Sequence, residues 1–196
     1  MSTITISRQM GSLGCQIAFA VADTLGYKLV WRELINEAAR RTGTPEVALA
    51  AIDELGLLGI CPSPKACQAY HQAVKEMMLE LADQGNVVLL GRAGQVILGK
   101  RSDTLHLRLV APIAERISRI AQRMGISEEC ARAQIEASDR YRSTYLRRYY
   151  HANWDDPALY HLIINTGSLQ INQVAEVICK TFQTTCINSG YVTVPN

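Results

Sequence analysis

The fold is decided by one stretch near the start of the chain, Thr3-Ile4-Thr5-Ile6-Ser7-Arg8-Gln9-Met10-Gly11-Ser12-Leu13-Gly14-Cys15-Gln16-Ile17-Ala18. Its β-branched opening predicts a strand. A turn-rich loop over residues 7–14 follows, and then apolar residues at helical spacing as far as Gly26. A strand, a glycine-bearing loop and a helix are the parts of a phosphate-binding loop, whose backbone N–H groups attract an anion. An ordinary β–α turn has the same outline, so the pattern alone leaves both interpretations open.

The usual phosphate-loop motif, G-x-x-x-x-G-K-[ST], is altered in this loop. When the strand and the inner Gly-Ser are superposed on a nucleotide-kinase loop, the first glycine falls on Arg8, the lysine on Gly14 and the hydroxyl residue on Cys15. The lysine that would bridge the transferred phosphate is therefore missing, and a thiol is a poor ligand for a hard cation such as Mg²⁺. We expect Arg8 to supply the lost charge, and Ser12 or Gln16 to hold a magnesium-bound water.

Outward from this stretch, strands alternate with helices, which predicts an α/β fold with a parallel sheet. Proline and glycine break up residues 44–64, which we interpret as an inserted lobe. Ligands of such sheets bind beyond the carboxyl ends of the strands, where Gly91-Arg92 and the arginines near Arg140 should meet the first loop. The further predicted strands are 27–30, 86–90, 105–110 and 162–166. The further predicted helices are 32–41, 66–84, 113–124, one with Ser127 as N-cap, and a last one capped by Ser168 and ending near 182.

Composition excludes several classes of protein. The chain has 196 residues, of which 48% are hydrophobic and 19% charged, as expected for one globular domain. The net charge of +2 favours neither nucleic acid nor a membrane as partner, and no stretch resembles a signal peptide or a membrane span. The six cysteines form no CxxC pair, and because no secretory signal is visible we interpret them as reduced thiols of a cytoplasmic protein. Fifteen arginines stand against five lysines, which suits either an anionic ligand or a solvated surface.

Residues 4–18 resemble the opening of the cytidylate kinase-like proteins, P-loop relatives of bacterial cytidylate kinase. The likeness keeps its order over most of residues 3–180. The further stretches that carry it are Gly91-Arg92, Val110-Ala111-Pro112, Glu115-Arg116-Ile117-Ser118-Arg119, Asp139-Arg140, Tyr145-Leu146-Arg147-Arg148-Tyr149-Tyr150, Trp154-Asp155-Asp156-Pro157 and Tyr160-His161-Leu162-Ile163-Ile164-Asn165-Thr166.

The resemblance implies a single domain over residues 1–196 with a P-loop kinase-like, three-layer α/β fold. Its parts are a central five-stranded parallel sheet, an inserted acceptor lobe at about 43–75 and a helical lid at about 126–157. The implied activity is that of an ATP-dependent phosphotransferase of the nucleoside-monophosphate-kinase type. The resemblance implies a monomer or a homodimer. The enzyme would need ATP and Mg²⁺, and CMP or dCMP is the first acceptor to consider.

The same resemblance implies site residues, although no protein ligand for the metal. The residue after Arg92 is usually Asp in cytidylate kinases and is Ala93 here, which alters the expected nucleoside contact. The predicted catalytic residues are Arg8, from its place in the altered loop, and Arg140, Arg147 and Arg148, which the resemblance implies. The implied ATP- and phosphate-binding residues are Gly11, Ser12, Leu13, Gly14, Cys15, Gln16, Arg116 and Arg119. The implied acceptor-binding residues are Arg92 and Arg142.

Two alternatives remain at this point. Gly14 and Cys15 are also compatible with a nucleotide-binding sensor or partner-binding protein without efficient phosphoryl transfer. Ala93 and the lobe over residues 44–64 are compatible with a kinase for another small phosphorylated or hydroxylated metabolite. The sequence does not choose among these acceptors.

Overall fold

A computed structural model of the chain describes residues 2–31, 37, 40, 41 and 64–187, with the backbone alone for 64–67, 186 and 187. Five parallel strands form one sheet in the spatial order β2-β3-β1-β4-β5. This confirms the predicted α/β architecture with a five-stranded parallel sheet. The strands are β1 Thr3–Arg8, β2 Lys28–Val30, β3 Val87–Leu90, β4 Thr104–Val110 and β5 Leu162–Asn165.

The helices of the described residues follow the predicted order, with one short addition after β3. A 3₁₀ turn, Pro157–Leu159, precedes β5. The helices are α1 Gly14–Leu25, α2 Pro64–Gln84, α3 Gly94–Ile97, α4 Ile113–Met124, α5 Glu128–Tyr150 and α6 Ile171–Ile187.

The two predicted N-caps have different outcomes. Ser127 caps α5, because its hydroxyl accepts a hydrogen bond from the Cys130 N–H at 3.2 Å. The prediction that Ser168 caps the last helix is wrong. That helix begins only at Ile171, and the Gln170 N–H donates to the Gln173 side chain at 2.9 Å. The first turn is thus closed by an amide side chain that reaches back.

Two apolar layers cover the sheet. On one face Ile4, Ile6 and Leu107 pack against Val21 of α1 and Val174 of α6. On the other, the edge of the sheet at β2 and β3 packs against α2. All of β3 is buried, as expected for a central parallel strand covered on both faces.

Where β1 and β4 face away from α1, their buried side chains are polar. The Thr5 hydroxyl and His106 Nδ1 lie 2.7 Å apart, and Ser7 and Arg108 follow on the same strands. Burial, and secondarily His161, lowers the pKa of His106 from 6.5 to about 4. This polar seam runs along the strands towards their carboxyl ends.

Other predictions fall on residues outside the described part of the chain. These are most of the predicted helix 32–41 and, in the predicted acceptor lobe 43–75, residues 43–63. Among the described helices, none has the length and apolar content needed to cross a lipid bilayer.

Candidate active site

A cavity of about 1080 Å³ lies beyond the carboxyl ends of β1 and β3. Its walls come from the loop after β1, the turn after β3, and the facing sides of α4 and α5. The carboxyl ends of parallel strands are where this class of fold binds ligands. The cavity is therefore the candidate site.

The loop between β1 and α1 presents a helix N-terminus to the cavity. Gly11 and Leu13 both have left-handed backbones, with φ of 83° and 61°. The Ile17 N–H closes the first turn of α1 on the Leu13 carbonyl at 3.0 Å. The amides of Gly14, Cys15 and Gln16 precede that bond, so they lack partners within the helix and suit an anion.

An ion pair behind the loop fixes its backbone at Met10. Arg116 Nε donates to the Met10 carbonyl at 2.8 Å, and Asp139 accepts the Met10 N–H at 3.2 Å. The Arg116 guanidinium also pairs with the Asp139 carboxylate. Burial raises the pKa of Asp139, while the charge of Arg116 and the Met10 N–H oppose that shift. Arg116 is buried and outside the cavity lining, so it holds the loop rather than facing a ligand.

Arg119 holds the other side of the loop and also lines the cavity. It donates to the Gly11 carbonyl at 3.3 Å and to the Thr166 carbonyl at 2.9 Å. Ser12 is fully buried, and its hydroxyl donates to the Gln9 carbonyl at 2.9 Å. The hydroxyl expected to hold a magnesium-bound water therefore faces the loop, away from the cavity.

The cavity has a strongly positive lining. Among the described residues that line it there is no Asp or Glu. Its other polar side chains are glutamines, serines, tyrosines, one cysteine and two tryptophans. Such a lining suits a ligand with several negative charges. Its five arginines are Arg8, Arg92, Arg119, Arg123 and Arg142.

Only one face of α5 contributes to the cavity. The lining residues Gln134, Ser138, Tyr141, Arg142 and Tyr145 recur every three or four positions, as the helical repeat requires. The structure does not bring three of the predicted catalytic residues to this face, since all of them are exposed and outside the lining. They are Arg140, Arg147 and Arg148.

The turn after β3 directs Arg92 into the cavity. Gly91, Arg92 and Ala93 all have positive φ, at 86°, 56° and 57°. Two consecutive non-glycine residues in this region are uncommon and store strain, which is often found at functional sites. Burial, together with the charge of Arg92, lowers the pKa of His71 to about 4. Ala93, which follows Arg92 in this turn, packs into an apolar cluster with Leu146.

Trp154 forms the floor of the cavity where the polar seam ends. Its Nε1 donates to the Ser7 hydroxyl at 2.8 Å, and the Arg108 guanidinium lies 4.5 Å from its ring. Arg108 also binds the Trp154 carbonyl and the Asp155 carboxylate. Asp156 caps the 3₁₀ turn by accepting the Ala158 N–H at 2.9 Å. These contacts tie the segment before β5 to β4.

The described residues do not fit direct coordination of Mg²⁺. No group of three or more His, Cys, Asp or Glu side chains within the described ranges is placed to hold a metal. Cys15 occupies the hydroxyl position of the usual loop, and Ser12 faces inward. A hard cation prefers oxygen ligands, and the described lining offers it no carboxylate.

Arg123, Trp31 and Trp154 are among the lining residues that the sequence analysis did not assign to the site. Arg123 stands four residues after Arg119, and that spacing places both on one face of a helix. The tryptophans carry no such signal, because only the tertiary fold brings them to the loop.

Comparisons with known proteins show the family of the chain. The model of the cytidylate kinase-like family matches residues 3–168. A cytidylate kinase from Thermococcus kodakarensis is 41% identical over 167 residues, covering 84% of this chain and 79% of the relative. A uronate isomerase from Corynebacterium glutamicum is 26% identical over 176 residues, or 87% of this chain, and the match spans only 34% of that relative's length.

Solved structures agree on the fold. A gluconokinase from Sinorhizobium meliloti has a TM-score of 0.59 at 14% identity, covering 97% of this chain and 98% of the other. An uncharacterized protein from Eubacterium ventriosum has a TM-score of 0.76 at 19% identity, covering 94% and 99%. At such identities the likeness concerns the fold alone. It confirms the predicted P-loop kinase-like class.

Proposed function

The chain belongs to the cytidylate kinase-like family, and on that premise we propose that it is an ATP-dependent phosphotransferase whose acceptor carries a phosphate group. CMP and dCMP are the first acceptors to test. One observation carries the proposal: five guanidinium groups line the cavity beside a helix N-terminus, with no carboxylate on the described lining. Two phosphate-bearing ligands bring the negative charge that such a cavity needs.

The donor phosphates belong at the loop. The amides of Gly14, Cys15 and Gln16 and the positive end of α1 attract a polyphosphate without a charged side chain. Arg116, Asp139 and Arg119 fix the loop from behind, so its amides need little rearrangement when the ligand binds. This supports a preorganised donor site.

The acceptor belongs beside Arg92, on the turn after β3. A non-bridging oxygen of the acceptor phosphate attacks the γ-phosphorus of ATP and forms the new P–O bond. The bond from the γ-phosphorus to the β,γ-bridging oxygen breaks, and its electron pair leaves on ADP. A phosphate oxygen is already ionised, so the step needs no general base. A sugar hydroxyl would need one, and the described lining offers no carboxylate or histidine.

Arginines from α4 and α5 complete the charge balance. Arg119, Arg123 and Arg142 line the same cavity as Arg92 but stand on these helices. A guanidinium can donate two parallel hydrogen bonds to the equatorial oxygens of a transferring phosphoryl group. If α5 moves as a lid, its closure also excludes water and limits hydrolysis of ATP. The lid roles of Arg140, Arg147 and Arg148 stay predictions.

The test is an ATP-turnover screen that measures ADP formation. The panel contains CMP, dCMP, UMP, AMP and GMP, with cytidine, shikimate and gluconate as phosphate-free controls. We expect turnover with at least one phosphomonoester and none with the controls. Turnover with a hydroxyl acceptor alone would contradict the proposal. The isomerase activity named for the Corynebacterium relative is no part of it, since most of that relative's length has no counterpart in this chain.

A second candidate is a nucleotide-binding sensor without efficient transfer. The altered positions Gly14 and Cys15, and the absence of a metal-ligand set among the described residues, favour it. ATP binding without turnover across the whole panel would support this candidate against the first.

A further inference from the structure

The Arg8 side chain lies where a side chain at position 14 would stand. A Cβ added to Gly14 would come within 2.6 Å of both Cβ and Cγ of Arg8. Unbonded carbon atoms in proteins essentially never come so close, and van der Waals contact begins at about 3.5 Å. Because the conflict reaches the Cβ of Arg8, a change of rotamer at residue 8 cannot relieve it. With this backbone, one of the two positions must be glycine.

Beyond Gly14, the side chain continues across the mouth of the cavity. Its guanidinium carbon lies 5.9 Å from the Trp31 ring centroid. A Cβ added to Gly91 would overlap the Nη1 atom of Arg8. The Arg8 guanidinium therefore lies between the phosphate loop and the turn that carries Arg92. Arg8 and Arg92 both line the cavity.

Positions 8 and 14 are also two of those that depart from the usual phosphate-loop motif. That motif has glycine at its first position and lysine at the position of Gly14. Here the first position is Arg8 and the lysine position is glycine. These two departures depend on each other, because the Cβ positions of residues 8 and 14 lie so close that only one of the two residues can carry a side chain. The usual motif places its lysine at position 14 with glycine at position 8, and this chain has the reverse arrangement.

We propose that the loop carries an exchanged cation: Arg8 provides, from the start of the loop, the phosphate contact that the lysine makes from the helix. Gly14 is glycine because the Arg8 side chain passes over it. The cation role rests on the proposed function, whereas the exclusion between positions 8 and 14 does not. A guanidinium rooted in β1 also reaches the acceptor side, where it spans the donor and acceptor phosphates.

Four variants of the full-length chain separate space from charge: Gly14→Ala, Gly14→Lys, and each of these combined with Arg8→Gly. Thermal unfolding reports the exclusion. Gly14→Ala and Gly14→Lys should both lower Tm, and Arg8→Gly should recover Tm in each double variant. A Gly14→Ala variant as stable as the wild type would overturn the exclusion.

Calorimetric titration with ATP, without acceptor, reports the cation. Arg8→Ala should weaken ATP binding about 10- to 100-fold, the usual effect of losing a hydrogen bond to a charged group. The Arg8→Gly/Gly14→Lys variant should regain most of that loss, and Arg8→Gly/Gly14→Ala should not. Arg132→Ala, an exposed change on α5 outside the cavity lining, serves as the control.

The outcomes are distinguishable. If the two double variants bind ATP equally, the cations are not interchangeable and the inference is wrong, while the proposed function stands. An Arg8→Ala variant that binds ATP with wild-type affinity would also overturn the inference. If the wild type binds no ATP, the proposed function and the cation role both fail, and the Tm measurements still decide the exclusion.

Discussion

Replacing Asp139 with alanine tests whether the phosphate loop is held from behind. Asp139 accepts the Met10 N–H and pairs with Arg116, which in turn donates to the Met10 carbonyl. The Arg116 side chain is only 5% exposed and that of Asp139 20% exposed. Asp139→Ala therefore leaves a buried guanidinium without its carboxylate, and a loop amide without its acceptor.

The expected loss follows from that burial. Removing one partner of a buried ion pair costs about 3–5 kcal/mol, because the remaining charge is uncompensated. Arg116 keeps its bond to the Met10 carbonyl and Asp139 is partly exposed, so we expect the lower end, about 3 kcal/mol. In a domain of this size each kcal/mol lowers Tm by about 2–4 °C, which gives a decrease of about 6–12 °C.

The assay combines thermal unfolding with titration of ATP. Arg116→Met/Asp139→Leu should recover much of the stability, since two apolar side chains can replace a buried pair, but it should not recover ATP binding. Glu80→Ala, which removes an exposed pair with Arg41, should leave Tm unchanged. An Asp139→Ala variant with wild-type Tm, or a double variant with wild-type ATP affinity, would refute the reasoning.

Three further predictions concern single residues. Arg92→Ala should raise the acceptor KM more than it lowers kcat, and Arg92→Lys should recover little, because a point charge cannot reproduce a two-pronged contact; steady-state kinetics decides both. The pKa of His106 is about 4 in the folded chain and 6.5 ordinarily, so the neutral ring contributes fully to stability above pH 6.5, and that contribution is lost as pH falls towards 4. In urea titrations the free energy of unfolding of the wild type should fall between pH 7 and 5, and His106→Asn should reduce that fall by about 2 kcal/mol. Ala93→Asp should lower stability by about 1–3 kcal/mol, because it places a carboxylate against Leu146 and Trp154; a Tm equal to that of the wild type would contradict this.

The sheet could be predicted because each strand carries its own local signal. Residues 3–6 are β-branched and residues 87–90 are a continuous apolar run, and both patterns depend only on neighbours in the chain. The predicted start of α6 at Ser168 is wrong, because the contact that closes the first turn has only a weak local signal. A serine is the commoner cap, and the Gln170–Gln173 contact that closes the turn is a weaker signal.

The site was less predictable because its contacts join residues far apart in the chain. Arg116 and Met10 are 106 positions apart, and nothing local indicates that this arginine binds a loop carbonyl rather than a ligand. The arginines of α5 illustrate a second limit. Their number is visible in the sequence, but the face that meets the cavity depends on how α5 packs, and of them only Arg142 is on it.

The close approach of positions 8 and 14 also restricts how this loop can change by single substitutions. In a loop with the usual glycine at position 8 and lysine at position 14, a first mutation to arginine at position 8 places two side chains in one volume. A first mutation to glycine at position 14 causes no conflict, but it yields a loop that holds phosphate with backbone amides alone. Every stepwise route between the two loops therefore passes through either a clash or a loop with no cation at these positions. Once Arg8 is in place, regaining the lysine requires the same passage in reverse, which makes the exchange difficult to undo.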